Sequence, residues 1–195
     1  MAVDGILVAL DGVLVEIDRA DAPPPLAGSA DDTDRALHAL ATDRALLAAI
    51  SLRGLSTAPD ALSALTALMA VAPVALVSAF SRAVTAAVLE STGWRDCFRT
   101  IVTADDVPPE LATESRRAAL ARWGRPIQTS RCLAVEAHAA GIAASRAIGM
   151  AVVRGAMREG PPTADVPSVA TLTELTAQRV RAIVQDSHDV LHNSR

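Results

Sequence analysis

A chain of 195 residues suits one domain and leaves no room for two of full size, and with 51% apolar residues it holds enough material for a sizeable core. A formal net charge of -4 with scattered arginines excludes the basic footprint that nucleic acid or an anionic membrane surface requires. Two cysteines, Cys97 and Cys132, are too few and too separated for a disulfide framework or a zinc cage, and the bland expectation is buried free thiols. No apolar stretch reaches the ~18–20 residues that span a bilayer, and the N-terminal MAVDGILVALDG has neither a basic n-region nor a cleavage site. A cytoplasmic location is expected.

In chain order, the first element is an aliphatic run over 6–10 (ILVAL) that delivers Asp11 into an Asp-Gly turn. Residues 19–33 (RADAPPPLAGSADDT) are rich in Pro, Gly and Asp and read as an exposed linker. An amphipathic helix follows from about 34 to 50, with Leu37, Leu40, Leu47 and Ile50 on one face. The stretch 19–54 is expected to be a reduced helical cap inserted over the C-terminal edge of a sheet, where ligands bind in open α/β folds. Residues 1–18 and 55–195 then form the core. A helix within 58–71 is introduced by the Thr57 hydroxyl, Pro59 and Asp60 and buries Leu62, Leu65 and Leu68/Met69.

Strand-like runs recur at 74–79 (VALVSA), 99–104 (RTIVTA), 132–137 (CLAVEA), 151–155 (AVVRG) and, more weakly, 166–170 (VPSVA). Between them lie a helix capped by Ser81 and stopped by Gly93, one over about 111–123 ending at Gly124, and one over 139–148 ending at Gly149. A terminal helix is expected over 172–192, fraying at HNSR. Runs that are apolar on both faces, each followed by a helix, make a parallel sheet covered by helices. The fold class is therefore α/β.

Four segments carry a resemblance: LDGVLVE after the first strand, VALVSAFSR, GWRDCFRTIVTADDV, and RCLAVEAHAAGIAASRAIGMAVV. Over about residues 5–155 the chain resembles the haloacid dehalogenase-like (HAD) superfamily, in particular its β-phosphoglucomutase-like phosphatases and mutases. The resemblance implies a HAD-like Rossmannoid core with a parallel sheet flanked by helices, plus a short helical cap insertion. It also implies a site. In that family a D-x-D motif supplies a nucleophile that helps to hold Mg2+ and an acid/base two residues later. A hydroxyl and a lysine bind the transferring phosphoryl group, and an acidic pair completes the metal site.

Carried over residue by residue, the nucleophile position is Ala9, the acid/base position is Asp11, and the hydroxyl position is Ser78. The lysine should fall near Glu110 or Leu111, and the chain contains no lysine at all. Glu136 is retained, but the position of the family's second acid holds Ala137.

A methyl group can neither attack phosphorus nor ligate a metal, so Ala9 removes the covalent intermediate. No cofactor is expected beyond a weak Mg2+ site on Glu136 and Asp11. Asp11 serves equally well as a turn cap, and Ser78 suits backbone satisfaction better than phosphate binding. Glu136 beside His138 reads more readily as a solvated acid next to a loop histidine than as a metal site. Asp105-Asp106 reads as the start of a turn, and Arg116 and Arg117 read as arginines on an exposed helix face.

The expected function is that of a HAD-like pseudoenzyme that binds a protein partner, forms a homo-oligomer, or holds a small phosphorylated ligand, with no nucleic acid or membrane partner. Two other readings stay open. One is a residual metal-dependent phosphatase acting on small phosphate esters, or a different chemistry in the same cleft. The other is a structural subunit of a larger complex.

Overall fold

Alternate residues of the first strand, β1 (Gly5–Ala9), feed two different cores: Ile6 and Val8 pack on one face of the sheet and Leu7 on the other. This two-sided burial follows from a central position in the sheet. In the computed structural model, which describes residues 2–24, 26, 32–155, 157 and 166–193, β1 pairs in parallel with β4 (Val74–Val77) and β6 (Cys132–Glu136). With β5 (Thr100–Val102), β7 (Ala151–Gly155) and β8 (Ser168–Val169) they form a six-stranded parallel sheet in the order β5-β4-β1-β6-β7-β8. The α/β class and the parallel sheet are as the apolar runs predict.

Helices cover both faces. Leu65 and Leu68 of α2 (Ala61–Met69), Val84 and Val88 of α3 (Arg82–Thr92), and Val180 and Val184 of α6 (Ala177–Asn193) join Ile6 and Val8 in the larger core. On the opposite face, α4 (Ala112–Ala121) brings Ala119 and Leu120, and α5 (Ala139–Ala147) brings Ile142, against Leu7. Trp123 closes this second core. Its ring lies so close to β1 that a Cβ on Gly5 would sit 1.9 Å from Cζ3, so the strand can begin there only without a side chain.

Local ends mostly obey the sequence signals. The Ser81 hydroxyl accepts from the Val84 N–H at 3.2 Å to open α3, and Gly93 closes that helix at φ 70. The entry to α2 differs from expectation. Thr57 does not cap that helix, because Ser56–Thr57 forms a short strand, β3, paired antiparallel with β2 (Val15–Glu16). Asp60 precedes α2 at φ 53 with no side-chain capping bond. The two ends of the segment between β2 and β3 are thus tied together.

Between β2 and β3 runs α1 (Asp32–Arg53). Leu46, Ala49 and Ile50 are buried, but Leu37 and Leu40 are 61% and 68% exposed, which corrects the expectation of a single apolar face. The two sets lie on different sides of the helix, and the C-terminal half packs Leu46, Ala49 and Ile50 into the larger core. At the other end of the chain, the segment expected as one terminal helix breaks into a short turn over Leu172–Glu174, closed by a capping box between Thr171 and Glu174, and then α6. Residues 194–195 of the expected frayed end, like 25 and 27–31 of the linker, lie outside the described residues. Among the described residues, no helix is long and apolar enough to cross a membrane.

Candidate functional site

Parallel strands finish together at one edge, and the backbone there brings the motif positions into contact. Ala9 stands opposite Val77, and Val8 opposite Val135. The Leu10 N–H donates to the Val77 carbonyl at 3.1 Å, and the chain then turns back: Leu14 and Val15 N–H both donate to the Leu10 carbonyl. Gly12 makes this turn at φ 75. A Cβ there would lie 2.9 Å from the Ala137 Cβ and 3.1 Å from His138 Nε2. The turn after β1 and the turn after β6 therefore press directly on each other.

Asp11 emerges from this contact into a charged cluster. Arg19 donates from Nη2 to Asp11 Oδ2 at 2.5 Å, and His138 Nε2 stands 3.5 Å from the same oxygen. The Arg19 guanidinium also lies over the Phe80 ring, 5.1 Å from its centroid. One arginine of the linker thus spans from the β1 turn to the β4 turn. Ser78, at the hydroxyl position, is buried. Its Oγ lies 2.9 Å from Thr85 Oγ1 and accepts from the Phe80 N–H at 3.1 Å, so both its neighbours are within the fold.

Glu136 ends β6 facing away from Asp11's cluster, into the protein. Arg116 of α4 donates to Glu136 Oε1 from Nη2 at 2.8 Å and from Nε at 3.2 Å, and the Ser145 hydroxyl donates to the same oxygen at 2.9 Å. Arg116 Nη1 reaches the Ala112 carbonyl at 3.0 Å. Gly141 makes room for this group: a Cβ there would sit 2.2 Å from Glu136 Oε2 and 2.9 Å from Arg116 Nη2. Both charged side chains are buried, which corrects the readings of Glu136 as a solvated acid and Arg116 as an exposed arginine. Arg117 is exposed. A signal for this existed. Arg116 stands at i, i+3, i+4, i+7 spacing with Ala119, Leu120 and Trp123, so it lies on the inward stripe of α4, and an arginine there requires a buried carboxylate.

These residues do not fit a resident Mg2+. The ion demands near-octahedral oxygen donors including one or two carboxylates, whereas Ala9 and Ala137 offer methyl groups and Glu136 Oε1 already accepts three hydrogen bonds. Among the described residues no group of three His, Cys, Asp or Glu side chains is placed to hold a metal ion. A weak Mg2+ contact would rest on Asp11, whose Oδ2 Arg19 and His138 share.

A third acid lies farther along the edge. Asp106 accepts from Arg122 Nη2 at 2.8 Å, Arg82 Nη2 at 3.1 Å, and the Thr103 N–H and hydroxyl, each at 2.9 Å. The Arg122 guanidinium beside it holds its carboxyl down at about 2. Asp105 accepts from the Arg82 N–H at the start of α3, so the acid pair braces two elements as well as forming the turn before α4. Both thiols are free and buried, and burial pushes Cys132 up to about 12.

The model of the haloacid dehalogenase-like hydrolase family matches residues 8–149, and the chain belongs to that family. No curated protein sequence matches it. Among solved structures it is similar to β-phosphoglucomutase (pgmB) from Clostridium difficile, with a TM-score of 0.73 at 15% identity over 94% of this chain and 98% of that one. It is similar to CbbY from Rhodobacter sphaeroides in complex with phosphate, with a TM-score of 0.66 at 19% identity over 89% and 96%. A HAD hydrolase, family IA, variant 3, from Entamoeba histolytica HM-1:IMSS gives 0.73 at 13% identity over 93% and 99%. At these identities the likeness establishes the Rossmann-like fold.

Proposed function

We propose that this chain keeps the HAD fold without the family's covalent phosphoryl-transfer chemistry, and works in the cytoplasm as a binding protein for a protein partner, a second copy of itself, or a small phosphorylated ligand. One observation carries the reading: with Ala9 at the end of β1, the retained acid Glu136 is committed to Arg116 and Ser145 in the interior. Phosphoryl transfer is mainly positioning and charge neutralisation. A site without the attacking carboxylate, and with its remaining metal-site acid neutralised by an internal guanidinium, can do neither in the family's way. Arg19 keeps one cation at the edge beside Asp11, and a guanidinium fork suits a phosphate monoester.

The test is phosphate release from a panel of small phosphate esters with Mg2+, Mn2+ or Co2+, together with intact-mass detection of an acyl-phosphate. No release above the buffer blank and no phosphorylated protein are expected. Metal-dependent release that falls on Asp11→Asn or Glu136→Ala overturns the proposal.

The approach of His138 to Asp11 favours a second reading, hydrolysis by a water that His138 activates while Asp11 orients the ring. That chemistry predicts turnover that survives chelation of metals and is lost in His138→Ala.

A further inference from the structure

A cavity of about 440 Å³ lies against β5, the edge strand of the sheet, and none of Ala9, Asp11, Ser78 and Glu136 borders it. Its size falls within the ~300–1,000 Å³ of small-molecule sites. The charged part of its wall comes from separate places in the chain: Arg82 and Glu90 from α3, Arg95 from the turn after that helix, and Asp106 and Arg122 from the segments on either side of α4. Three guanidinium groups thus meet two carboxylates, which leaves a surplus of one positive charge.

The hydrogen bonds show where the surplus is. Arg82 and Arg122 share a single oxygen, Asp106 Oδ1, at 3.1 and 2.8 Å, while Oδ2 accepts from the Thr103 N–H and hydroxyl. A guanidinium carries five N–H donors, of which the Arg82 side chain spends one on Asp106, and that of Arg122 one there and one on the Ile101 carbonyl. Arg95 reaches the Phe98 carbonyl at 3.5 Å, and among the described residues no carboxylate stands within ion-pair distance of it. Ala86, Leu89 and Ile101 line the same cavity and make part of its wall aliphatic.

We propose that this cavity binds a small organic carboxylate with an apolar body, its charged end held by Arg95 and by the remaining N–H groups of Arg82 and Arg122. A guanidinium fork matches a carboxylate with two parallel bonds, a surplus of one charge fits a monoanion, and the aliphatic wall takes hydrocarbon out of water. The site goes beyond the reading of the cleft given above and stands whether or not the cleft binds a phosphorylated ligand.

The test is a titration of the full chain with octanoate, followed by backbone amide chemical shifts. A dissociation constant of roughly 0.1–1 mM is expected, with the shifted amides on α3, on β5 and around Arg95. Arg95→Gln should weaken binding ~10-fold, and Ala86→Glu, which sets a carboxylate on the wall, at least as much. Glu90→Gln removes a competing anion and should tighten it about 2-fold. All three positions are exposed, so far-UV circular dichroism should not change, and Arg117→Gln on the outer side of α4 should leave binding as it is. No shifts up to ~10 mM octanoate, an affinity indifferent to Arg95→Gln and Ala86→Glu, or equal binding of 1-octanol, octylammonium or inorganic phosphate overturns the proposal.

Discussion

Two arginine–carboxylate pairs stand at the ends of neighbouring strands, and they differ chiefly in their access to water. In the pair of Arg116 with Glu136 the side chains are 8% and 4% exposed; in that of Arg19 with Asp11 they are 54% and 22% exposed. Coulomb attraction favours both. Only the first has surrendered its hydration, and it is held in place by Ser145 and the space at Gly141. A buried pair costs about as much to desolvate as its attraction returns, but removing one partner strands the other charge in the interior. An exposed pair can lose a partner to water at little cost. The same chemical contact therefore acts as a structural bolt in one place and as an exchangeable, solvent-facing contact in the other.

Breaking the buried pair should have the largest effect. Arg116→Met leaves Glu136 uncompensated and is expected to cost ~3–5 kcal/mol, a fall of roughly 6–20 °C in melting temperature. Glu136→Gln should cost a similar amount, while the double variant should lose clearly less than the sum. Chemical denaturation of the four proteins checks this, and strict additivity would show that the two residues do not act as a unit. Gly141→Ala, which drives a methyl into the same pair, should cost ~1–3 kcal/mol by overpacking, and the same denaturation series measures it.

Asp106, at 13% exposure, sits between the extremes. Its folded carboxyl titrates at about 2, below the ~3.9 of an unfolded aspartate, so folding favours the ionised form. The stabilisation is present above about pH 4 and is lost as the pH falls through about 2. Melting curves of Asp106→Asn and the parent should differ most near neutrality and converge by about pH 2. Arg19→Ala should be the mildest change, within ~1 kcal/mol. A larger loss would mean that the exposed pair braces the edge as the buried one does.

What could be read without coordinates follows the same division between local and tertiary causes. The aliphatic strands, the Ser81 cap and the Gly93 stop were legible because their physics lies within a few residues. The order of the strand-end motifs placed Ala9, Asp11, Ser78 and Glu136 at one edge. The partner of Glu136 was not legible from motifs, since it arrives from α4, twenty residues upstream in the chain. The inward stripe through Arg116 did hint at it. Thr57 reads as a cap in the sequence, but its backbone is claimed by β2, a pairing with a strand some forty residues earlier in the chain. Leu37 and Leu40 look like core residues in a helical wheel, and only the position of α1 on the body reveals that they face outward.

That ribbon has a consequence for how the molecule can change. Because Glu16 lies directly opposite Ser56, the excursion leaves and rejoins the domain at almost the same point, as a drawer does from its frame. A turn of 2–5 residues is enough to join antiparallel neighbours. Replacing the intervening segment with such a turn should leave the register of all six parallel strands intact, so this stretch can shrink, grow or be exchanged across generations while the frame stays as it is.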